Sequence, residues 1–395
     1  MPVPSLLVPS VLVPSVLALA VLALAVLALA VLAPPAPFRP APMAEPAQRY
    51  AGVAWTEAGF EVAVLDPGGQ LAGPVTRFGP AHRGELTRHL SGLAAAGPLV
   101  TVLDSTNGVL DGVLQAAGLA VYRADPWLLP GRPVLGSVPA QALAETARRD
   151  LAALSRLTKR GGTLTGRTGQ RAGIAASRAQ ATALAEAGRL ARHGCRLVPA
   201  GAAPEVALTF DDGPNPPYTG QILGILARYQ VPATFFCVGL QASAHPADIA
   251  GMAAAGHGLG NHTWSHPFLP DLTRAQLDEQ LDRTDEAVSR AAGGREPGPF
   301  RPPYGSRSPD VLRWLGERGS PIALWDVDPS DWARPGAAVI AGRVLTQARP
   351  GTIILMHDGG GDRSQTVAAL PLVIEGLLDR GFRFTRADVL LAAAR

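Results

Sequence analysis

The rhythm of apolar and polar positions changes three times along the chain. Val16 to Ala33 is an unbroken run of Val, Leu and Ala, followed by a Pro/Ala spacer, and is just long enough to cross a bilayer. From Arg49 to about Val138 short apolar stretches alternate with polar ones. Tyr50–Trp55 and Glu61–Leu65 read as strands, and Asp66-Pro67-Gly68-Gly69 as the turn leading to a third. A helix over Arg83–Ala95, a strand over Leu99–Leu103, a helix over Val109–Ala117 and a strand over Leu119–Arg123 follow. Helical spacing then dominates Gln141–Leu157 and Ala172–His193, with the basic Arg160–Arg167 as a loop between them. From Ala203 onward strand and helix alternate: strands at Val206–Phe210, Ala233–Val238, Ile322–Val327 and Thr352–Met356, helices at Thr219–Tyr229, Ala247–Ala255 and Arg274–Ala292. That alternation predicts parallel pairing. Polar clusters recur just after the strands, where a β/α barrel keeps its active site.

At 395 residues the chain has room for two domains and a sizeable core. A net charge of +3 does not argue for nucleic acid, and Lys159 is the sole lysine among otherwise arginine cations. The two cysteines are too few for a disulfide framework, and Cys237 lies in an apolar run as a small core residue. No Lys or Arg precedes Arg39, so the apolar leader lacks the basic start of a secretory signal, although Ala-x-Ala sites lie inside it. Three readings stay open: a membrane anchor, a signal for export, or translation that starts at Met43 and leaves the protein cytoplasmic.

Strands, a helix, then alternating strand and helix over 49–138 resemble the start of a ribonuclease H-like domain. Nuclease members of that class place an acid in the first strand, where this chain has Ala54; Asp104 is the only well-placed acid. A nuclease needs several carboxylates to hold its metal ions. The expectation is therefore a non-catalytic scaffold that folds independently, with an ordinary small α/β domain as the alternative.

The candidate chemistry lies further on. Thr209-Phe210-Asp211-Asp212-Gly213-Pro214-Asn215 puts two carboxylates at a strand end, crowding like charges unless a cation or an asymmetric environment separates their roles. Taken alone it is equally a strand-capping turn. In His262-Thr263-Trp264-Ser265-His266 the two histidines are four apart, which on a helical turn puts both on one face within reach of one ion. With one of the Asp pair they supply the two nitrogens and one oxygen of an open catalytic zinc site. Arg301-Pro302-Pro303-Tyr304-Gly305 presents a guanidinium on a stiff loop. Trp325–Trp332 carries Asp326, Asp328 and Asp331 among aromatics, and Leu355-Met356-His357-Asp358 carries a histidine out of a buried strand.

Together these five stretches, in order and spacing, resemble the polysaccharide deacetylase family, carbohydrate esterase family four, over about residues 203–395. The resemblance implies a distorted β/α barrel and a metal-dependent N-deacetylase acting on an N-acetylated sugar polymer. It implies that Asp212, His262 and His266 bind Zn2+ or another divalent cation such as Co2+. Asp211 would be the general base, with Arg301 holding it in place. The backbone N–H of Tyr304 would stabilise the oxyanion, and His357 would protonate the leaving amine. Asp331, or alternatively Asp328, would keep His357 cationic, and Pro303, Trp332 and Leu355 would line the substrate and its acetyl pocket. The expected organisation is 1–42 leader and spacer, 43–139 small α/β domain, 140–202 helical connector and 203–395 catalytic domain. A glycan-binding protein without turnover, O-deacetylation of xylan, and a nucleic-acid protein working through the first domain are the competing readings. The partner expected is an N-acetylated polysaccharide, with no nucleic acid and no identified partner for the N-terminal domain.

Overall fold

The structure, a computed structural model, describes residues 47–160, 163–165, 195–196, 203–319 and 321–393. The apolar leader, Met43 and the helix expected over Ala172–His193 lie outside the described residues. Among the described residues no helix is long and apolar enough to cross a membrane. Residues 46–395 form one compact unit.

The N-terminal part is a six-stranded mixed sheet. Its strands are β1 (Arg49–Thr56), β2 (Gly59–Leu65), β3 (Thr76–Phe78), β4 (Leu99–Asp104), β5 (Val121–Ala124) and β6 (Ser155–Arg156), laid side by side in the order β3-β2-β1-β4-β5-β6. β1, β2 and β3 pair antiparallel, β1, β4 and β5 pair parallel, and β6 returns antiparallel on β5. Strand alternation sends Ala51, Val53 and Trp55 to one face and Ala54 to the other. Ala54 packs there with Leu143 and Ala147 of the helix Ala140–Arg149, so the position where a nuclease carries an acid is core. That helix lies so close on β1 that a Cβ at Gly52 would sit 1.8 Å from the Ala140 carbonyl oxygen.

The helix expected over Gln141–Leu157 stops at Arg149. Asp150 leaves helical geometry, its side chain accepts the Ala153 N–H, and the chain closes the sheet with β6. Arg160–Arg167, expected as a loop, overlaps a short hairpin of β7 (Thr158–Arg160) and β8 (Thr163–Thr165). The first stretch of the expected helical connector is thus part of the N-terminal sheet domain.

The C-terminal part opens with β9 (Cys195–Arg196), then β10 (Glu205–Asp211), β11 (Thr234–Cys237), β12 (Gly258–Asn261), β13 (Ile322–Ala323), β14 (Ile353–His357) and β15 (Arg383–Thr385). β10 is central, flanked by β11 and β14, with β12 outside β11. β15 pairs with the start of β10, and β13 with β9. Single parallel bridges continue the ring, Asn261 to Phe300, Phe300 to Ile322, and Val327 to Ile354. Helices Tyr218–Tyr229, Ala337–Gln347 and Ser364–Asp379 pack outside. Their Ile222, Leu226, Ile340, Val344, Leu370 and Ile374 cover Val206, Leu208, Phe210 and Phe235. Phe236, Ala207, Leu355 and Trp325 form a second cluster.

The two parts share a core. On the sheet face opposite Ala54, Trp55, Leu86, Leu90, Val109 and Leu110 pack in one cluster with Val238, Leu240 and Trp264 of the C-terminal part. Backbone bonds cross as well: Val109 N–H to the Ser265 carbonyl at 3.3 Å and Phe268 N–H to the Ser105 carbonyl at 3.1 Å. The first domain, expected to fold independently, has its second apolar face completed by the other half of the chain.

Candidate active site

All the polar clusters singled out in the sequence meet at the C-terminal ends of the parallel strands, where backbone pairing stops and side chains are free to converge. Asp211 ends β10 and His357 ends β14, and strand register sets them directly opposite each other. Asp212 follows in left-handed geometry at φ 74°, and both carboxylates approach His262 Nε2, Asp211 Oδ2 at 3.6 Å and Asp212 Oδ1 at 3.5 Å.

The histidine pair arrives differently from the helical turn expected. His262 follows β12, and the chain then runs as an irregular loop in which Thr263 (φ 67°) and His266 (φ 59°) are left-handed. Asn261 accepts the Thr263 N–H at 2.8 Å and fixes that turn. The two Nε2 atoms nevertheless face one carboxylate oxygen, Asp212 Oδ1, at 3.5 Å for His262 and 3.1 Å for His266. Asp212, His262 and His266 are the cluster whose ligand atoms all lie within 4.8 Å of one another.

These residues fit a divalent cation. Asp212 Oδ1 is buried without a hydrogen-bond donor, which costs free energy unless something supplies the missing charge or proton. His262 Nδ1 lies 2.7 Å from the Arg301 carbonyl oxygen and donates to it, leaving the Nε2 lone pair toward Asp212. Two nitrogens and one carboxylate oxygen form an open three-ligand set. Burial would raise the Asp212 pKa; where the histidines carry protons rather than turning lone pairs to a cation, His266 and His262 more than offset it and hold the carboxyl well below the usual range.

Asp211 is held by the fully buried Arg301, whose Nη1 donates to Asp211 Oδ1 at 2.7 Å and to Thr209 Oγ1 at 2.7 Å. The rest of the guanidinium donates to the carbonyls of Ala323 and Leu324 and stacks 3.9 Å over the Phe236 ring. Pro303, buried, begins the short turn Pro303–Gly305, in which Tyr304 is left-handed at φ 58°. The Tyr304 ring meets His266 edge-on at 4.5 Å.

On the other side, His357 Nδ1 lies 2.7 Å from Asp331 Oδ1, and the His357 N–H donates to Asp331 Oδ2 at 2.9 Å. Thr366 Oγ1 donates to the same carboxylate at 2.7 Å. Burial would lower the His357 pKa, but the charge and hydrogen bond of Asp331 lift it to about 9. Asp328, the alternative partner, instead accepts the Ser330 N–H at 2.7 Å. Trp332 is half-buried in the turn Asp331–Ala333, and Leu355 is buried in β14.

Sequence reasoning missed two groups of residues here. Asp358 is buried, receives Thr219 Oγ1 at 2.6 Å, and is pushed up to about 7 by burial, with Asp212 and Asp211 adding to the shift. Its place beside His357 was the available signal. Asp111 and Arg123 form a buried ion pair in the N-terminal part, and the Tyr304 hydroxyl donates to Asp111 Oδ2 at 3.1 Å across 193 positions of sequence. Nothing in the local sequence points to that contact.

Comparison with known proteins gives four likenesses. Residues 200–321 match the family described as polysaccharide deacetylase. A chitooligosaccharide deacetylase of Sinorhizobium fredii is 44% identical over 190 residues, 46% of this chain and 88% of the relative. A peptidoglycan-N-acetylglucosamine deacetylase of Bacillus cereus is 39% identical over 188 residues, 47% of this chain and 87% of the relative. The crystal structure of a peptidoglycan N-acetylglucosamine deacetylase is 36% identical, covering 48% of this chain and 89% of that one, with a TM-score of 0.47.

Proposed function

The chain belongs to the polysaccharide deacetylase family, and we propose that it hydrolyses the N-acetyl groups of peptidoglycan or of chitooligosaccharides with a divalent cation, Zn2+ or Co2+, as cofactor. The observation that carries this reading is the pairing of Asp211 with His357 at the ends of adjacent strands, beside the Asp212, His262 and His266 cluster, with Asp211 Oδ2 3.6 Å from His262 Nε2. Binding a glycan needs neither a base nor an acid; hydrolysis of an amide needs both.

Asp212, His262 and His266 would hold the cation, which when bound would supply charge to polarise the acetamide carbonyl and acidify water. Asp211 takes the proton of the attacking water, and Arg301 fixes the carboxylate for that transfer. The Tyr304 N–H, in a residue of left-handed backbone, would stabilise the developing oxyanion. His357, kept cationic by Asp331, gives its proton to the departing amine. Leu355 and Trp332 wall the acetyl group, with Pro303 on the Tyr304 side. The ring of parallel pairings is our basis for calling the fold a distorted β/α barrel.

We read the N-terminal sheet as a ribonuclease H-like scaffold without nuclease activity. The lack of nuclease activity in this mixed sheet fits the engagement of Asp104, whose Oδ1 accepts from the Thr106 N–H and hydroxyl at 2.9 and 2.6 Å. We propose that the protein works at the cell envelope, anchored or exported through the leader, since the proposed substrate class would lie there; the alternative is a cytoplasmic product begun at Met43. N-terminal sequencing of the native protein decides between them.

The test of the activity is acetate release by the full chain from N-acetylglucosamine oligomers, peptidoglycan and acetylated xylan. Release from either N-acetylated substrate supports the reading; release from xylan alone replaces it with O-deacetylation, and no release returns the chain to a glycan-binding role.

A further inference from the structure

The N-terminal sheet domain does more than lie beside the barrel. After β4, residues Ser105–Asp111 form a turn that reaches the cation side of the site. Asp104 ties its start through Thr106, Trp55 Nε1 donates to Thr106 Oγ1 at 2.8 Å, and Asn107 Nδ2 donates to the Val53 carbonyl at 3.1 Å. The turn is therefore rigidly mounted on the sheet. Its outer side is bonded along the loop that carries His266. Ser265 Oγ donates to the Thr106 carbonyl at 2.6 Å, and backbone bonds join Val109 to Ser265 and Phe268 to Ser105.

Gly108 sits at the tightest point. A Cβ there would lie 2.1 Å from the His266 carbonyl oxygen, 2.4 Å from the Tyr304 hydroxyl and 2.8 Å from His266 Nδ1. His266 Nδ1 has no hydrogen-bond partner, so its ring is oriented by packing against Gly108 and Tyr304 rather than by the hydrogen bond that holds His262. Three residues on, Asp111 accepts the Tyr304 hydroxyl and is itself fixed by the buried Arg123. Tyr304 and His266 both occupy left-handed backbone, which persists only where the surroundings over-determine it. The surroundings here include the N-terminal domain.

We propose that Gly108 and Asp111, the latter braced by Arg123, are positioning residues of the deacetylase centre. Gly108 sets the ring of the cation ligand His266, and Asp111 sets the Tyr304 backbone N–H through the tyrosine hydroxyl. The proposal rests on the functional reading above, but it can be judged apart from it, because one of its readouts is binding of Co2+ alone.

The experiment uses the full chain and three substitutions, with circular dichroism to establish folding. Gly108→Ala is expected to raise the Kd for Co2+ by about tenfold or more and to change the cobalt absorption bands, since a ligand ring must move. Asp111→Asn and Tyr304→Phe are each expected to lower kcat on a short N-acetylglucosamine oligomer by about tenfold with KM nearly unchanged, the signature of an interaction made in the transition state. Their double variant is expected to be no slower than either single one, because both cut the same tie. Unchanged Co2+ affinity and bands in folded Gly108→Ala overturn the proposal; so does an unchanged kcat in both Asp111→Asn and Tyr304→Phe, or a double variant in which the losses add. If Gly108→Ala does not fold, the other two, which add no heavy atom at the contact, decide. A parent that binds Co2+ but releases no acetate removes the deacetylase reading and leaves the Co2+ comparison to judge the positioning.

Discussion

Burial on its own would strip His357 of its charge; the Asp331 carboxylate, held by Thr366 and the His357 N–H, reverses this and lifts the pKa to about 9. His357 is thus a proton donor below that value and loses the role above it. Acetate release should fall as pH rises through about 9, or somewhat lower with a cation bound nearby, since its charge opposes the imidazolium. In Asp331→Asn the lifting charge is gone while burial remains, so the alkaline limb of the kcat profile should move to lower pH; a limb that stays in place would remove Asp331 from its role. Linkage has the same sign. The raised pKa contributes stability that is complete below the ordinary histidine value near 6.5 and is lost as pH climbs to about 9. For Asp211→Asn the expected result is full cation content with turnover lower by about 10²–10⁴-fold, the usual worth of a positioned base. Metal analysis beside acetate release checks it, and turnover within a few-fold of the parent would exclude Asp211 as base. Asp211 and His357 were legible because each directly ends an apolar strand in sequence, and Asp331 because it lies in the acidic stretch after the expected strand Ile322–Val327. Asp111 and Arg123 were not, since their partner Tyr304 is brought in only by the fold.

Elements were easier to place than the paths between them. β10, β11 and β14 fall within a residue or two of the apolar runs that predicted them, because a strand covered on both faces reads as continuous apolar sequence. The His262–His266 segment misled for a physical reason: a spacing of four is also produced by a loop with two left-handed turns, and Asn261 supplies the side-chain bond that selects it. The helix from Ala140 was overextended because Leu151, Leu154 and Leu157, which flank β6, continue its spacing, and Asp150 ends it. That helix yields an element-scale prediction. Its closeness to β1 depends on Gly52, where the Ala140 carbonyl oxygen leaves no room for a methyl group. Gly52→Ala should destabilise the protein by about 1–3 kcal/mol, as overpacking does, seen as a lower urea midpoint; an unchanged midpoint would mean that the helix does not pack there.

At the scale of the molecule, the sequence suggested an autonomous first domain and a self-sufficient deacetylase. The structure joins them through one apolar cluster and through the turn seated on His266. Deleting residues 1–200 would expose Val238, Leu240 and Trp264 and withdraw the support of Tyr304. The shortened protein should aggregate, or remain soluble with acetate release from a short oligomer reduced by about tenfold or more, as loss of a buried tie to the site predicts. Undiminished turnover would show the first domain to be dispensable. The division was hidden from sequence because an apolar strand face looks the same whether its own helix or a distant part of the chain covers it. The central claim, that Asp212, His262 and His266 hold a cation used for amide hydrolysis, is tested most directly by chelating the full-length protein, restoring Zn2+ or Co2+, and measuring acetate and free amine formed from an N-acetylglucosamine oligomer. The account predicts about one ion per chain, no product after chelation, equal acetate and amine after restoration, and neither ion nor product in His262→Ala or His266→Ala. Equal turnover by the chelated protein and by both histidine variants would contradict it.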